Sequence, residues 1–382
     1  MMNYPTIYLA IDNCFACKRW TTPEEWCRTI SGLGIAYIEA SADNELDPLF
    51  MGAEYLEDWI TEVRRVQDVY GVKVANLYSG HGTYTTLGLT HTDPRVRRRM
   101  IDHWFKPMIR AAAALNAGLG FFAHAFPHRA LQTAERYAES VQMLEEGLVE
   151  LNRYAAEQNC RTMALEQMYS PHQYPWTIAG TAGLLAAVTK KSGRSFYFTE
   201  DLGHHHIKFT RPEEAMLARI GTEGAVPRNI WLGSDKAFAL AKQGDLPALR
   251  TEMAAVSHLF SEARDGDCYA WLAELGAYSP IIHLQQSDGK TSSHLPFTEE
   301  NKRWGRIDGA KVLRAIKAAY DKAALPQMPE PCNEIYLTLE LFSGTASIMR
   351  DFMEQCKESA AYWRRFVPED GLGLDELVSR LD

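Results

Sequence analysis

The sequence predicts an α/β protein: a single parallel (β/α)8 barrel with a long insertion before the seventh strand and a C-terminal helical extension. Three observations lead there. Short apolar, β-rich runs alternate eight times with longer stretches of helical periodicity, the order that builds a parallel sheet. No Pro/Ser-rich linker divides the chain, so residues 1–382 read as one domain. Four of the later strands close on a side chain able to bind a cation, and in a parallel barrel every strand C-terminus opens onto one face.

The first strand is Ile7 to Asp12, followed by a polar turn with Lys18, Arg19 and Trp20 and a helix from about Thr22, with Pro23 in its first turn. Ile35 to Glu39 begins the second unit, whose helix runs from about Ala53 to Tyr70. Val72 to Tyr78 is the third strand; the loop Ser79 to Thr83 (SGHGT) and a helix from about Pro94 to Leu115 follow. Leu119 to His124 is the fourth strand, ahead of a long amphipathic helix from Ala130 to Gln158. Strands five to eight are Met163 to Glu166 (MALE), Phe196 to Asp201 (FYFTED), Pro280 to His283 (PIIH) and Ile335 to Glu340 (IYLTLE). Helices are expected near Thr177 to Lys190 and Gly309 to Ala323.

Roughly 75 residues separate Asp201 from the seventh strand, far beyond an ordinary connection. This 205–275 insertion carries helical stretches near Pro212 to Arg219 and Pro247 to Arg264, and the charged 346–382 segment extends the C-terminus. Either could cover the open face or a subunit interface.

The four strand ends deliver Glu166, Asp201, His283 and Glu340. Any one strand-end carboxylate is ordinarily a solvated loop residue; four in order on strands of one barrel half point to a site for one divalent metal ion. Three carboxylates and one imidazole make a mostly hard donor set, which suits Mn2+, Mg2+ or Co2+ and also admits Zn2+. Such an ion can polarise a bound carbonyl and offset the charge that develops when a neighbouring proton leaves.

A phosphate on the substrate would need donors on the same face: Lys18, Arg19, the amides of Gly80 to Gly82, and Lys290. Trp20, Trp176 and Phe297 are candidates for an apolar wall against a sugar ring or chain. His81 and His124 stand at strand ends, where a buried, bonded imidazole and a substrate contact are equally compatible with the sequence.

Composition narrows the partners. A net charge of -9 argues against nucleic acid, whose backbone requires a basic face. No apolar run approaches a membrane span and no apolar leader follows a basic start, so a soluble, cytoplasmic protein with a small-molecule ligand is expected. The 7 cysteines are odd in number and scattered, and Cys14-Phe-Ala-Cys17 has no second pair to complete a zinc site. Gly80-His-Gly82 lacks the third glycine of a dinucleotide fingerprint.

Four segments also resemble the xylose isomerase-like barrel superfamily of sugar and sugar-phosphate isomerases and epimerases, typified by ketose 3-epimerases. Leu165 to Thr177 (LEQMYSPHQYPWT) is similar to that family's strand-five glutamate and following loop, with His172 and Gln173 where Arg and Glu are common. Glu200 to His204 resembles its Asp-x-x-His, in which the aspartate binds metal and the histidine meets substrate. His283 to Asp288 is like its His-x-Lys-Asp, with Gln285 and Gln286 in place of the last two residues. Leu339 to Phe342 matches its closing glutamate, and His283 to Phe297 resembles enzymes that epimerise tetrulose phosphates.

The resemblance implies Glu166 and Glu340 as a pair of proton-transferring bases that also touch the metal, and His204 and His172 as substrate contacts. It favours C3 epimerisation of a tetrulose to hexulose, free or phosphorylated, by a homo-oligomer, a dimer or tetramer. Aldose-ketose isomerisation at the same site, a metal-dependent hydrolase of the endonuclease-IV-like kind and a non-catalytic sugar-binding barrel remain the alternatives.

Overall fold

A computed structural model describes residues 4–16, 22–79, 88–322 and 327–381. Eight parallel strands, β1 (Thr6–Asp12), β2 (Tyr37–Ser41), β3 (Lys73–Ser79), β4 (Gly118–Phe121), β5 (Met163–Glu166), β6 (Tyr197–Asp201), β7 (Ile281–Leu284) and β8 (Glu334–Leu339), pair in chain order. The barrel closes because β1 pairs with both β8 and β2. A two-residue strand, β9 (Leu372–Gly373), lies antiparallel against the start of β1. Such strands are covered on both faces, which is why they read as continuous apolar runs; all four residues of β5 and of β7 are buried.

Inside the barrel the two ends differ in chemistry. Tyr8, Tyr37 and Tyr336 pack ring to ring, with centroids 4.9 to 5.4 Å apart, around Ala10, Ala75 and Ile281. This plug fills the end where the strands begin. The other end holds carboxylates, imidazoles and amides. Gly120 on β4 is small for a reason: a Cβ there would lie 2.9 Å from the Asn76 amide nitrogen and 3.0 Å from the Tyr78 ring.

Local chemistry sets the helix ends. The helix Pro23–Gly32 starts on a capping box between Thr22 and Glu25. The helix expected from Ala53 begins at Pro48, capped by Asp47, and kinks at Gly52 (φ 78°). The helix expected over Pro94 to Leu115 widens to a π turn at Ile101–Phe105. β4 stops at Phe121, short of the expected His124, whose φ of 69° leaves extended geometry.

The segment between β6 and β7 holds more helix than periodicity suggested. Asp235–Gln243 is a helix that the sequence reading missed, and the stretch expected over Pro247 to Arg264 is helical only at Leu246–Ala255. With Glu214–Glu223 these helices bury a small core of their own, including Leu217, Ile220, Leu232, Leu249 and Met253. Near the C-terminus, Met349–Arg364 packs Tyr362 and Trp363 onto Phe297 at 5.3 and 5.4 Å. Phe297 and Trp176, expected along a sugar wall, are instead core residues; the Trp176 indole donates to the Tyr137 hydroxyl at 3.0 Å.

Among the described residues no helix is long and apolar enough to cross a membrane. The six described cysteines are free, and Cys17 lies outside the described residues.

One buried acid gives a stability prediction. Glu45, 1% exposed and hydrogen-bonded to the Trp26 indole, has its carboxyl pushed by burial from 4.5 up to about 8. The folded state therefore holds a proton that the unfolded chain releases, and stability falls as pH rises from about 4.5 toward 8. The loss should be of the order of a few kcal/mol. Glu45→Gln should flatten this slope, which denaturant melts at pH 5 and pH 8 will read.

Candidate active site

Four residues converge at the C-terminal end of the barrel. Glu166 ends β5, Asp201 ends β6, His283 sits in β7 directly opposite Asp201 in the pairing, and Glu340 follows β8. Each offers one ligand atom, those atoms all lie within 4.8 Å of one another, and all four residues are buried. Donors about 2.0 to 2.2 Å from a shared ion would span a similar distance.

His283 is held from behind. Its Nε2 lies 2.7 Å from Glu39 Oε2, while Glu39 Oε1 accepts a bond from the Asn76 amide at 2.6 Å. The space kept open by Gly120 is thus what admits the Asn76 amide. With Nε2 turned to Glu39, Nδ1 faces Glu166 Oε1 (3.3 Å) and Glu340 Oε2 (3.4 Å), donating to Glu166 here and able to turn its lone pair to an ion once that proton leaves. A carboxylate behind a histidine is the usual outer support of a metal-ligating imidazole. The Tyr78 hydroxyl donates to Glu166 Oε2, and its ring meets His283 edge-on at 5.0 Å.

Asp201 is fixed from three sides. Gly203 N–H donates to Oδ1 at 2.7 Å, His204 Nε2 lies 3.0 Å from Oδ2, and the Gln285 amide nitrogen is 2.9 Å from both oxygens. Gln285 is oriented by its own carbonyl, which accepts from the backbone N–H groups of Ser293 (3.1 Å) and His294 (2.7 Å). Gly203 must be small here, since a Cβ would overlap that amide. His294 in turn places Nδ1 3.2 Å from Glu340 Oε2.

The electrostatics favour a cation. Burial raises Glu340 above the ordinary carboxylate range, and burial together with Glu39 and Glu340 raises Asp12. Burial opposes the charged imidazole of His283, but Glu340 and Glu39 outweigh it and hold its pKa well above the usual value. His204 is likewise raised to about 9, burial being outweighed by Asp201. Asp12 Oδ2 and Glu340 Oε2 are buried without a hydrogen-bond partner. The three carboxylates, the imidazole whose Nδ1 faces two of them and the surplus of buried acid fit one divalent ion.

The other residues singled out from the sequence divide. His204 is in the cluster, its Nδ1 2.9 Å from the Gln167 carbonyl. His205 and His206 are buried as well: His205 bonds to Glu200 at 2.9 Å, with burial pushing its pKa down to about 3, and His206 lies 3.3 Å from the Gly289 carbonyl. His172 contacts the Phe126 carbonyl at 3.2 Å and, with His128, Trp231 and Asp235, lines a separate recess of about 530 Å3. Lys290 is 82% exposed, with Asp288 3.6 Å away. Lys18, Arg19, Trp20, His81 and the Gly80 to Gly82 loop lie outside the described residues.

Sequence reasoning missed Asp12, Glu39, Asn76 and His294. Asp12 ends β1 and Glu39 lies in β2, so the strand-end pattern that found the four ligands could have found them. His294 sits in irregular backbone, where no periodicity marks it.

A family model described as xylose isomerase-like TIM barrel matches residues 27–226, just over half of the 382. The chain belongs to the xylose isomerase-like TIM barrel family. The match ends before β7 and β8; closure of the barrel brings His283 and Glu340 beside Glu166 and Asp201. D-Erythrulose 1-phosphate 3-epimerase from Brucella abortus is 35% identical over 101 residues, 26% of this chain and 29% of that protein. A solved structure described as a xylose isomerase candidate from Rhodospirillum rubrum superposes with a TM-score of 0.68 at 17% identity, covering 94% of this chain and 99% of that one. D-Psicose 3-epimerase from Clostridium cellulolyticum H10 gives 0.53 at 12%, covering 98% and 96%. At such identities these structures speak for the fold of this xylose isomerase-like barrel alone.

Proposed function

We propose that the chain is a divalent-metal-dependent isomerase that epimerises a short ketose or ketose phosphate at C3, with Glu166, Asp201, His283 and Glu340 as metal ligands. The observation carrying this reading is the pair of buried carboxylates, Glu166 and Glu340, approaching one imidazole nitrogen from different strands. An ion bound there would polarise the substrate carbonyl and offset the charge that develops when the α-proton leaves.

The chain's own groups move the proton. Tyr78 fixes the rotamer of Glu166 by donating to Oε2. Burial raises the proton affinity of Glu340 above that of an ordinary carboxylate, which favours its taking a proton. One carboxylate removes the C3 proton and the other returns one to the opposite face, which inverts the centre. His204, with Nδ1 at the Gln167 carbonyl and Nε2 at Asp201, lies beside the proposed metal site as the candidate substrate contact. The name of the Brucella relative supports a tetrulose 1-phosphate as substrate, with Lys290, Lys18 and Arg19 as candidate anion contacts and a homo-oligomer as the assembly.

The test is proton NMR in D2O with Mn2+-loaded then metal-exchanged (Mg2+) protein and erythrulose, with and without its 1-phosphate. Deuterium should enter at C3 as the other epimer appears, faster for the phosphate. Exchange at C1 with an aldose product would replace epimerisation by aldose-ketose isomerisation, and no exchange in any ketose would overturn the proposal.

A further inference from the structure

Asp12 closes β1 on the inside of the barrel. Side chains alternate along a strand, and Tyr8 and Ala10 of β1 belong to the interior plug, so Asp12, two positions on, faces inward as well. The strand pairing fixes its neighbours. Asp12 stands opposite Glu39 on β2, and Ile11 stands opposite Leu339 on β8, which carries Glu340 to the position beside Asp12. Neighbouring strands run about 4.8 Å apart, so the three carboxylates form a row across the C-terminal end of the barrel.

The two outer members of the row are accounted for. Glu39 holds His283 and Asn76, and Glu340 belongs to the four-residue cluster. Asp12 does neither: its Oδ1 accepts from the Cys14 N–H, and its Oδ2 is buried with no partner. A buried carboxylate oxygen in that condition costs free energy until a donor reaches it. The next residue leaves a donor in the same state. Asn13 is buried, its Oδ1 accepts from the Ser41 N–H at 2.8 Å, and its Nδ2 has no partner. A hydroxyl group both donates and accepts, so an unpaired acceptor and an unpaired donor on consecutive residues suit a ligand rich in hydroxyls.

We propose that Asp12 Oδ2 accepts the hydroxyl on the ketose carbon beyond C3, the C4 hydroxyl. This rests on the proposed C3 chemistry at Glu166 and Glu340. A ketose presenting C3 to Glu340 carries its next hydroxyl on C4, and Asp12 is the acid beside Glu340 that has an oxygen to spare. A buried acceptor left unpaired discriminates against a substrate that lacks the matching hydroxyl. Asp12 thus selects ketoses bearing an alcohol at C4 over their 4-deoxy counterparts.

The experiment measures kcat/KM for epimerisation of the ketose or ketose phosphate that the wild type turns over and of its 4-deoxy analogue. Wild type, Asp12→Ala and Asp12→Asn are compared, all loaded with Mn2+ and checked for metal content. The wild type should prefer the hydroxylated ketose by about tenfold to a hundredfold, the range of a hydrogen bond to a charged group. In Asp12→Ala, kcat/KM should fall by about that factor on the hydroxylated ketose and stay within about threefold of wild type on the deoxy analogue. Asp12→Asn exchanges a charged acceptor for a neutral one and should keep only part of the preference, which tests the proposal even if alanine disturbs the fold. A purely structural role would lower both substrates together. A wild type indifferent to the C4 hydroxyl, an equal loss on both ketoses, an unchanged preference in Asp12→Asn, or loss of bound metal in both variants would overturn the inference alone. Turnover of no ketose by the wild type would overturn the proposed function and the inference with it.

Discussion

Glu340→Gln should lower the rate of epimer interconversion by about 10^2- to 10^4-fold, the range over which a positioned acid-base group acts. The side chain is 3% exposed, with His283 and His294 nitrogens at 3.4 and 3.2 Å from Oε2. An amide keeps the shape but cannot take the proton. The strands on either side are held by ladder bonds that do not involve this side chain, so circular dichroism and melting temperature should change little. The check is single-turnover kinetics at saturating metal, so that a weakened ligand is separated from a lost base.

Glu39→Ala should weaken Mn2+ binding by about tenfold to a hundredfold, although Glu39 is not one of the four proposed ligands. The buried Glu39 carboxylate accepts from His283 Nε2 and from Asn76, and its removal leaves both donors unpaired. His283 then loses the bond that fixes its tautomer and points Nδ1 into the cluster. Glu39→Gln, which still offers a carbonyl oxygen to His283, should retain more affinity. Titration calorimetry with Mn2+ on metal-stripped protein measures both, and equal affinities for wild type and Glu39→Ala would show that the imidazole needs no support.

The barrel was legible because buried parallel strands leave a signature that local sequence carries: short apolar runs with turns at their ends. The four clustered residues were legible for the same reason, since β5, β6, β7 and β8 each end on or beside one. What escaped depends on contacts between distant segments. Gln285 looked like a loss relative to the family's usual lysine; the structure makes it a clamp on Asp201 that requires Gly203, 82 positions upstream, to lack a side chain. His294 escaped because irregular loops have no period, and Phe297 was misplaced because nothing local shows that Tyr362 and Trp363 cover it. Asp12 and Glu39 were in view and passed over, although they follow the same strand-end pattern.

The central claim is that Glu166, Asp201, His283 and Glu340 together hold one divalent ion. Metal analysis by inductively coupled plasma mass spectrometry, on wild-type protein and Asp201→Ala equilibrated with Mn2+ and desalted, tests it directly. The account predicts about one ion per chain for the wild type, as a single mononuclear site requires, and little for the variant. Two or three ions per chain, or a variant that retains its ion, would contradict it.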